Sequence, residues 1–68
     1  MDRKPVDSSN IRSVGWENGV LEVEFKNHSI YHYYGVDKET FQQLIAAESV
    51  GKYLGTHVKG VFPYARVD

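Results

Sequence analysis

The side chains of this 68-residue chain with chemistry to offer are three histidines, two glutamates placed two residues apart, a serine pair, and cations interleaved with tyrosines. His28, His32 and His57 would suit zinc, but no two of them stand four apart as on one helix face, and no cysteine joins them. Ordinary surface or hydrogen-bonded histidine is the better reading, and no metal or other cofactor is expected. Glu22 and Glu24 share one side of an extended strand, which makes an acid–base pair conceivable. On an open, solvated face they would lack the burial that tunes a carboxyl for proton transfer. Ser8-Ser9 has no G-x-S-x-G around it, and Val50-Gly51-Lys52-Tyr53-Leu54-Gly55 lacks the spacing of a phosphate-binding loop. The expectation is that the chain is not an enzyme, and no small-molecule substrate is evident.

The remaining chemistry is recognition. Lys52, Lys59 and Arg66, with His57 and Tyr53, cluster toward the C-terminal third, while Arg3, Lys4 and Arg12 lie near the start. A basic rim beside aromatic rings on a sheet is one way to hold single-stranded RNA. Lys52, Lys59, Arg66, His57, His32 and Tyr34 are the expected contacts. Eight basic against nine acidic side chains give a net charge of −1, which argues against tight, sequence-independent binding driven by phosphate neutralisation. The plainer reading of tyrosines on a small sheet is that they fill a core.

Positioning these residues falls to a sheet followed by helices. Met1 to Asn10 shows neither strand nor helix period and holds Pro5, so residues 1–9 are expected as a flexible arm. Ile11, Val14 and Trp16 come to one face if a bulge falls near Arg12 or Ser13. Asn18-Gly19 between apolar residues signals a type I′ hairpin that pairs Trp16 with Leu21 and Val14 with Val23. Leu21, Val23 and Phe25 then alternate with Glu22 and Glu24.

Lys26-Asn27-His28-Ser29 admits two registers, which send opposite faces of the next strand inward. A two-residue Asn27-His28 loop would bury Ile30, His32 and Tyr34. A three-residue loop with His28 in the left-handed region would pair Val23 with Tyr31 and Leu21 with Tyr33, and it is favoured because it keeps His32 out of the core. Asp37 is placed to cap a helix over about Lys38 to Ala47 that carries Phe41, Leu44 and Ile45 on one stripe. Ser49 caps a second, with Val50, Tyr53, Leu54, His57 and Val58 at amphipathic spacing and Gly60 as its stop. Gly51 and Gly55 inside that helix call for a packing reason, such as close backbone approach. The tail around Pro63 has no period and can lie along the sheet edge or the helices.

The fold class is thus α+β: a three-stranded antiparallel meander followed by two helices packed on one face, residues 1–68 forming one domain. Its expected core is Trp16, Leu21, Val23, Phe25, Tyr31 and Tyr33 from the sheet with Phe41, Leu44, Ile45, Tyr53 and Leu54 from the helices. The other face would be open, carrying Glu22, Glu24, Ile30, His32 and Tyr34. A chain this short buries only about 60% of its unfolded surface, which leaves little room for a deep cleft. The lack of cysteine fits a reducing cytoplasm, and no apolar run is long enough for a membrane span or a secretory signal, so no membrane partner is expected.

Read together, Ser8-Ser9, Ile11, Val14-Gly15 with an aromatic at 16, Leu21-x-Val23-x-Phe25, Tyr31-His32-Tyr33 with Gly35-Val36, and Ala47-x-Ser49-x-Gly51-x-Tyr53 resemble the KTSC domain family. The family takes its name from the C-terminal region of some lysyl-tRNA synthetases and is also found as a small stand-alone bacterial or phage protein. The resemblance covers about Val6 to Val67, and departs from the family pattern in having His28 where glycine is common and Trp16 where tyrosine is. It implies that Tyr31 and Tyr33, the family's Tyr-x-Tyr, share the face of Leu21, Val23 and Phe25. It also implies an RNA-binding role, by association with a tRNA synthetase. The functional expectation is a non-catalytic binding module with RNA as partner; the alternative is a protein-interaction module that uses the open sheet face or a free strand edge.

Overall fold

Two tight turns organise the sheet. In a computed structural model describing residues 1–68, Asn18 and Gly19 both have positive φ (51° and 82°), as a type I′ turn requires, and join strands Ile11–Glu17 (β2) and Val20–Phe25 (β3). Trp16 pairs with Leu21 and Val14 with Val23, while the register shifts between Ile11 and Ser13. That bulge at Arg12 brings Ile11, Val14 and Trp16 to one face, the first two fully buried. The second turn takes the three-residue form. His28 sits at φ 74°, its N–H donates to the Phe25 carbonyl at 2.9 Å, and the Phe25 N–H donates to the Ser29 carbonyl at 2.9 Å. Strand Ile30–Tyr34 (β4) therefore pairs Tyr31 with Val23 and Tyr33 with Leu21.

Two further strands flank this meander, so the sheet has five antiparallel strands in the order β1-β2-β3-β4-β5 rather than three. Arg3–Pro5 (β1) pairs with β2, and Tyr64–Arg66 (β5) pairs with β4. The segment 1–9, expected to be a free arm, is thus tied down at its middle. Gly15 makes that docking possible, because a Cβ there would lie 2.5 Å from the Asp2 carbonyl oxygen. Both added strands are only three residues long and carry Pro5 or follow Pro63, features of edge strands rather than central ones.

The chain leaves β4 through Gly35, at φ 77°, and Val36, which is fully buried. Val36 is held from both sides: its N–H donates to the Gly19 carbonyl at 2.9 Å, and the Trp16 indole Nε1–H donates to its carbonyl at 2.7 Å. Helix Lys38–Ala46 (α1) follows, with the Asp37 carboxylate accepting from the Thr40 N–H at 2.9 Å. Hydrogen bonds from the Thr40 hydroxyl and, secondarily, its N–H hold the Asp37 carboxyl below its ordinary value. Helix Val50–His57 (α2) is capped in the same way by Ser49, which accepts from the Lys52 N–H at 3.2 Å. It ends in a turn where the N–H groups of Val58 and Lys59 both reach the Leu54 carbonyl and Gly60 takes φ 78°.

The helices cover one face of the sheet around Ile11, Val14, Leu21, Val23, Tyr33, Val36, Leu44, Val50, Leu54 and Val58. Of the expected core, Leu21, Val23, Tyr33, Leu44 and Leu54 are buried, whereas Trp16, Phe25, Tyr31, Phe41, Ile45 and Tyr53 are half-buried around its rim. Of the aromatic rings only Tyr33 reaches the centre, which is otherwise filled by five valines, three leucines and Ile11. Gly51 has a packing reason: a Cβ there would come within 2.9 Å of Asn10 Oδ1 and 3.2 Å of Ser8 Oγ. Gly55 has none, since nothing lies within 4 Å of its missing side chain. No helix is long and apolar enough to cross a membrane.

Two outcomes follow from this framework. Gly15→Ala should expel the Asp2–Pro5 segment while leaving β2 to β4 intact, seen as loss of amide-exchange protection at Val6, whose N–H donates to the Arg12 carbonyl at 3.2 Å, with the Leu21 and Val23 amides still protected; retained protection at Val6 would contradict it. At the other edge, Arg66 donates to Asp68 from Nε (2.8 Å) and Nη2 (3.3 Å), and the Val67 N–H donates to the Ile30 carbonyl at 2.8 Å. The Arg66 guanidinium, helped by the Ile30 N–H, holds the Asp68 carboxyl down to about 2. Because the folded pKa is depressed, this contribution is complete above the ordinary carboxylate value of 3.8 and is lost as the pH falls through about 2. The protection factor of the Val67 amide should therefore drop between pH 4 and about 2, and Asp68→Asn should abolish that acid step; a protection factor flat over this window would contradict it.

Candidate functional site

The turn after α2 and the β4–β5 edge do not close on each other. Between them lies an open groove of about 540 Å³, lined by Phe25, Tyr31, Tyr33 and Tyr64 together with Asn27, Ser29, Lys59 and Gly60. This volume falls within the ~300–1,000 Å³ of sites that take small organic groups.

Strand alternation puts the rings there. Tyr31 and Tyr33 are two apart on β4 and pair with Arg66 and Tyr64 of β5, so Tyr64 falls on their face of the sheet. The Tyr64 ring lies 5.9 Å from that of Tyr31 and 5.8 Å from that of Tyr33, tilted 39° and 37°, while Phe25 meets Tyr31 edge-on at 5.6 Å. Tyr33 is 3% exposed and forms the floor; Tyr64, at 62%, presents most of its ring to solvent. Burial, and secondarily the neighbouring phenols of Tyr31 and Tyr64, push the Tyr33 hydroxyl above its ordinary pKa, so it remains neutral and able to donate. Lys59 closes one side, with Nζ 5.2 Å from the centre of the Phe25 ring. Asn27 stands at the hairpin end, where its Oδ1 accepts from the Ser29 N–H at 3.1 Å and the Ser29 hydroxyl at 2.6 Å. The groove is thus an aromatic surface edged by one cation and one amide.

The residues expected as a nucleic-acid surface are not brought together. Lys59 lies in the groove, and Arg66 stands on the neighbouring edge strand, tied to Asp68. Lys52 and His57 sit on the exposed part of α2, in a shallow hollow with Tyr53, whose ring lies 4.4 Å from that of His57. His32 and Tyr34 are on the opposite side of the sheet from the groove, in contact with each other at 6.2 Å. Conversely, Tyr31 and Phe25, expected as interior core, are groove walls. Tyr64 and Asn27 were not anticipated at all: a tyrosine in an aperiodic tail and an asparagine in a turn give no signal until the tail is placed against β4.

The face expected to be open is occupied by its own charges. His32 Nε2 lies 2.8 Å from Glu22 Oε1, Arg3 Nη1 3.3 Å from Glu22 Oε2, and Arg3 Nη2 3.8 Å from Glu24 Oε1; the Ser13 hydroxyl donates to Glu24 at 3.0 Å. Once β1 has docked Arg3 over them, the two glutamate side chains are only 17% and 18% exposed. The two carboxyl groups are thus tied to Arg3, His32 and Ser13. The sheet's two edges are the short strands β1 and β5 rather than β2 and β4.

Comparison with known proteins agrees with this architecture. The chain is 37% identical over 71 residues to a protein of Stutzerimonas stutzeri strain A1501, covering the whole of both. It is 38% identical over 61 residues to one of Tsukamurella paurometabola, covering 87% of this chain and 91% of the other. The crystal structure of a KTSC domain protein from Yersinia pestis superposes with a TM-score of 0.94 at 33% identity, over 98% of this chain and 97% of that one. Residues 7–62, from the turn before β2 to the start of the tail that forms β5, match the KTSC domain, and the chain belongs to that family.

Proposed function

We propose that this protein is a non-catalytic binding module that holds unpaired RNA bases in the groove of Phe25, Tyr31, Tyr33 and Tyr64. The observation that carries the reading is a set of tyrosine rings left open at a sheet edge, with a lysine ammonium beside them. Every nucleobase has a π-face, and stacking on an aromatic ring contributes about 1–3 kcal/mol per base. An exposed ring such as Tyr64 contributes little to the core, so its presence in the groove is better explained by contact with a ligand than by folding. One lysine in the groove and a net charge of −1 point to binding led by stacking rather than by phosphate neutralisation.

This assignment moves the contacts to one side of the sheet. Tyr64, Tyr31 and Lys59 are contact residues, and Arg66 is an edge contact; Lys52, His57, His32 and Tyr34 are not. Titration of single-stranded RNA into the isotope-labelled chain should shift the amides of β4, β5 and the Lys59-Gly60 turn. Tyr64→Ala, which leaves the core untouched, should weaken binding by about 5- to 150-fold, the equivalent of one stacked base. Lys59→Gln should lower the salt slope by about one, whereas Lys52→Gln should change neither. Shifts confined to α2 or to the Glu22–His32 face, or no shifts with any single strand, would refute the assignment.

A further inference from the structure

The two edges of the sheet differ in how they are guarded. In β1 the Val6 N–H bonds to the Arg12 carbonyl, so by strand alternation Lys4 also faces β2 while Arg3 and Pro5 face outward. Pro5 has no N–H, and the outward row of donors is interrupted there. In β5 the Pro63 carbonyl accepts from the Tyr34 N–H and the Val67 N–H donates to the Ile30 carbonyl, so positions 63, 65 and 67 face β4. This proline falls on the side that is already paired, and Tyr64 and Arg66 turn their N–H and C=O groups outward. Apolar side chains gather at the same edge: Tyr64 is 62% exposed and Val67 45%, and Ala65 is exposed as well.

From this we infer that β5 pairs antiparallel with β5 of a second copy of the chain, about a two-fold axis at Ala65, joining the two five-stranded sheets edge to edge. Register selects this partner. Residues opposite each other in an antiparallel ladder are either both bonded or both unbonded, so an outward residue can face only another outward residue. With the axis at Ala65, Tyr64 faces Arg66 of the second copy and Arg66 faces its Tyr64, each pair exchanging two main-chain bonds. Both contacts set a guanidinium against a tyrosine ring. An axis at Arg66 would oppose two like charges, and one at Tyr64 would set Arg66 against Phe62, whose N–H is spent on the Val58 carbonyl. On the other face the favoured register lays Val67 against Pro63 and Ala65 against Ala65, an apolar ladder. The Arg66–Asp68 ion pair is no obstacle, since a guanidinium can stack through its plane while its edge stays bonded. The pairing is self-complementary, as a two-fold contact must be. It would also bring a second cation, Arg66 of the other copy, to the lip of each groove, but it does not depend on the groove taking RNA.

Sedimentation of the unmodified chain at concentrations up to about 1 mM, the range of weak association, should show a dimer that grows with concentration, and the Tyr64 and Arg66 amides should gain exchange protection as it forms. The chain has no cysteine, so single thiols map the contact. Across the axis the two Ala65 Cα atoms would lie about 4.5 Å apart, within disulfide reach, and Ala65→Cys should give a covalent dimer under oxidised glutathione. Two copies of Val67→Cys would stand about 14 Å apart along the paired strands and should not cross-link. Arg66→Ala keeps the main-chain bonds but removes both guanidinium–ring contacts, and should weaken association about 5- to 30-fold. A chain that sediments as a monomer throughout would overturn the inference. Equal cross-linking at 65 and 67, or a dimer that Ala65→Cys does not trap, would place the contact elsewhere and overturn it too. Protection of the Tyr64 and Arg66 amides by a peptide of another sequence, with the chain alone monomeric, would reassign the edge to a foreign strand. A monomer whose β4, β5 and Lys59 amides still shift with single-stranded RNA would leave the groove reading standing without this interface, and the cross-linked dimer without such shifts would leave the interface standing without RNA.

Discussion

Whether Tyr31 and Tyr33 face the helices or the open side of the sheet depends on one residue of loop length between Phe25 and Ser29. A two-residue loop would turn every side chain of β4 over, because strand alternation has a period of two. His28 absorbs the extra residue by adopting φ 74°, a conformation that costs non-glycine residues energy but that histidine and asparagine tolerate best. Asn27 supports it, receiving both donors of Ser29 and closing the turn from outside. The rest follows from that register. Tyr33 comes down over Leu21, Tyr31 stands beside Val23, and His32 is sent out to meet Glu22. Burying His32 instead would have removed a polar ring from water without a partner, a cost of a few kcal/mol on a small core.

A second constraint holds the other end. Trp16 lies on the core face of β2, but its indole N–H is spent on the Val36 carbonyl, and its ring lies 6.5 Å from that of Phe41, inclined by 22°. The segment that leaves the sheet is thereby pinned to the first hairpin before α1 begins. Losing that donor would strand a carbonyl beside the core at a cost of about 1–3 kcal/mol. Of the two helices, α1 is held at this end through Phe41, whereas α2 begins with Gly51 against Ser8 and Asn10 and is followed by Lys59 over the Phe25 ring. The groove is a consequence: where α2 stops and Gly60 turns the chain back toward β5, Phe25, Tyr31 and Tyr64 are left uncovered.

What could be read from the residues was whatever is specified locally. Asn18-Gly19, the bulge at Arg12, the caps at Asp37 and Ser49 and the alternation of Leu21, Val23 and Phe25 each have a short-range cause, and each is where the pattern placed it. The edge strands were not legible, because three residues next to proline have no period to detect and exist only by pairing with a neighbour already in place. The two missing strands also change the surroundings of their neighbours. Without β1, Glu22 and Glu24 look solvated, although Arg3 covers both. Without β5, Tyr31 looks like ordinary core and Tyr64 like a loose tail residue, so the groove they share is invisible. The cations were misgrouped for a related reason: Lys52 and Lys59 are close in sequence, but one is on α2 and the other is in the turn beyond its end.

The central structural claim is that Tyr31, Tyr33 and Tyr64 share one face of the sheet. Through-space ring-proton contacts in solution test it most directly. The Tyr31 ring should show contacts to Val23, Phe25 and Tyr64, and the His32 ring contacts to Glu22 and Tyr34 on the other side. His32 ring protons in contact with Leu21 or Val23, with the Tyr31 ring beside Glu22, would show the opposite register and contradict both the groove and the function proposed for it.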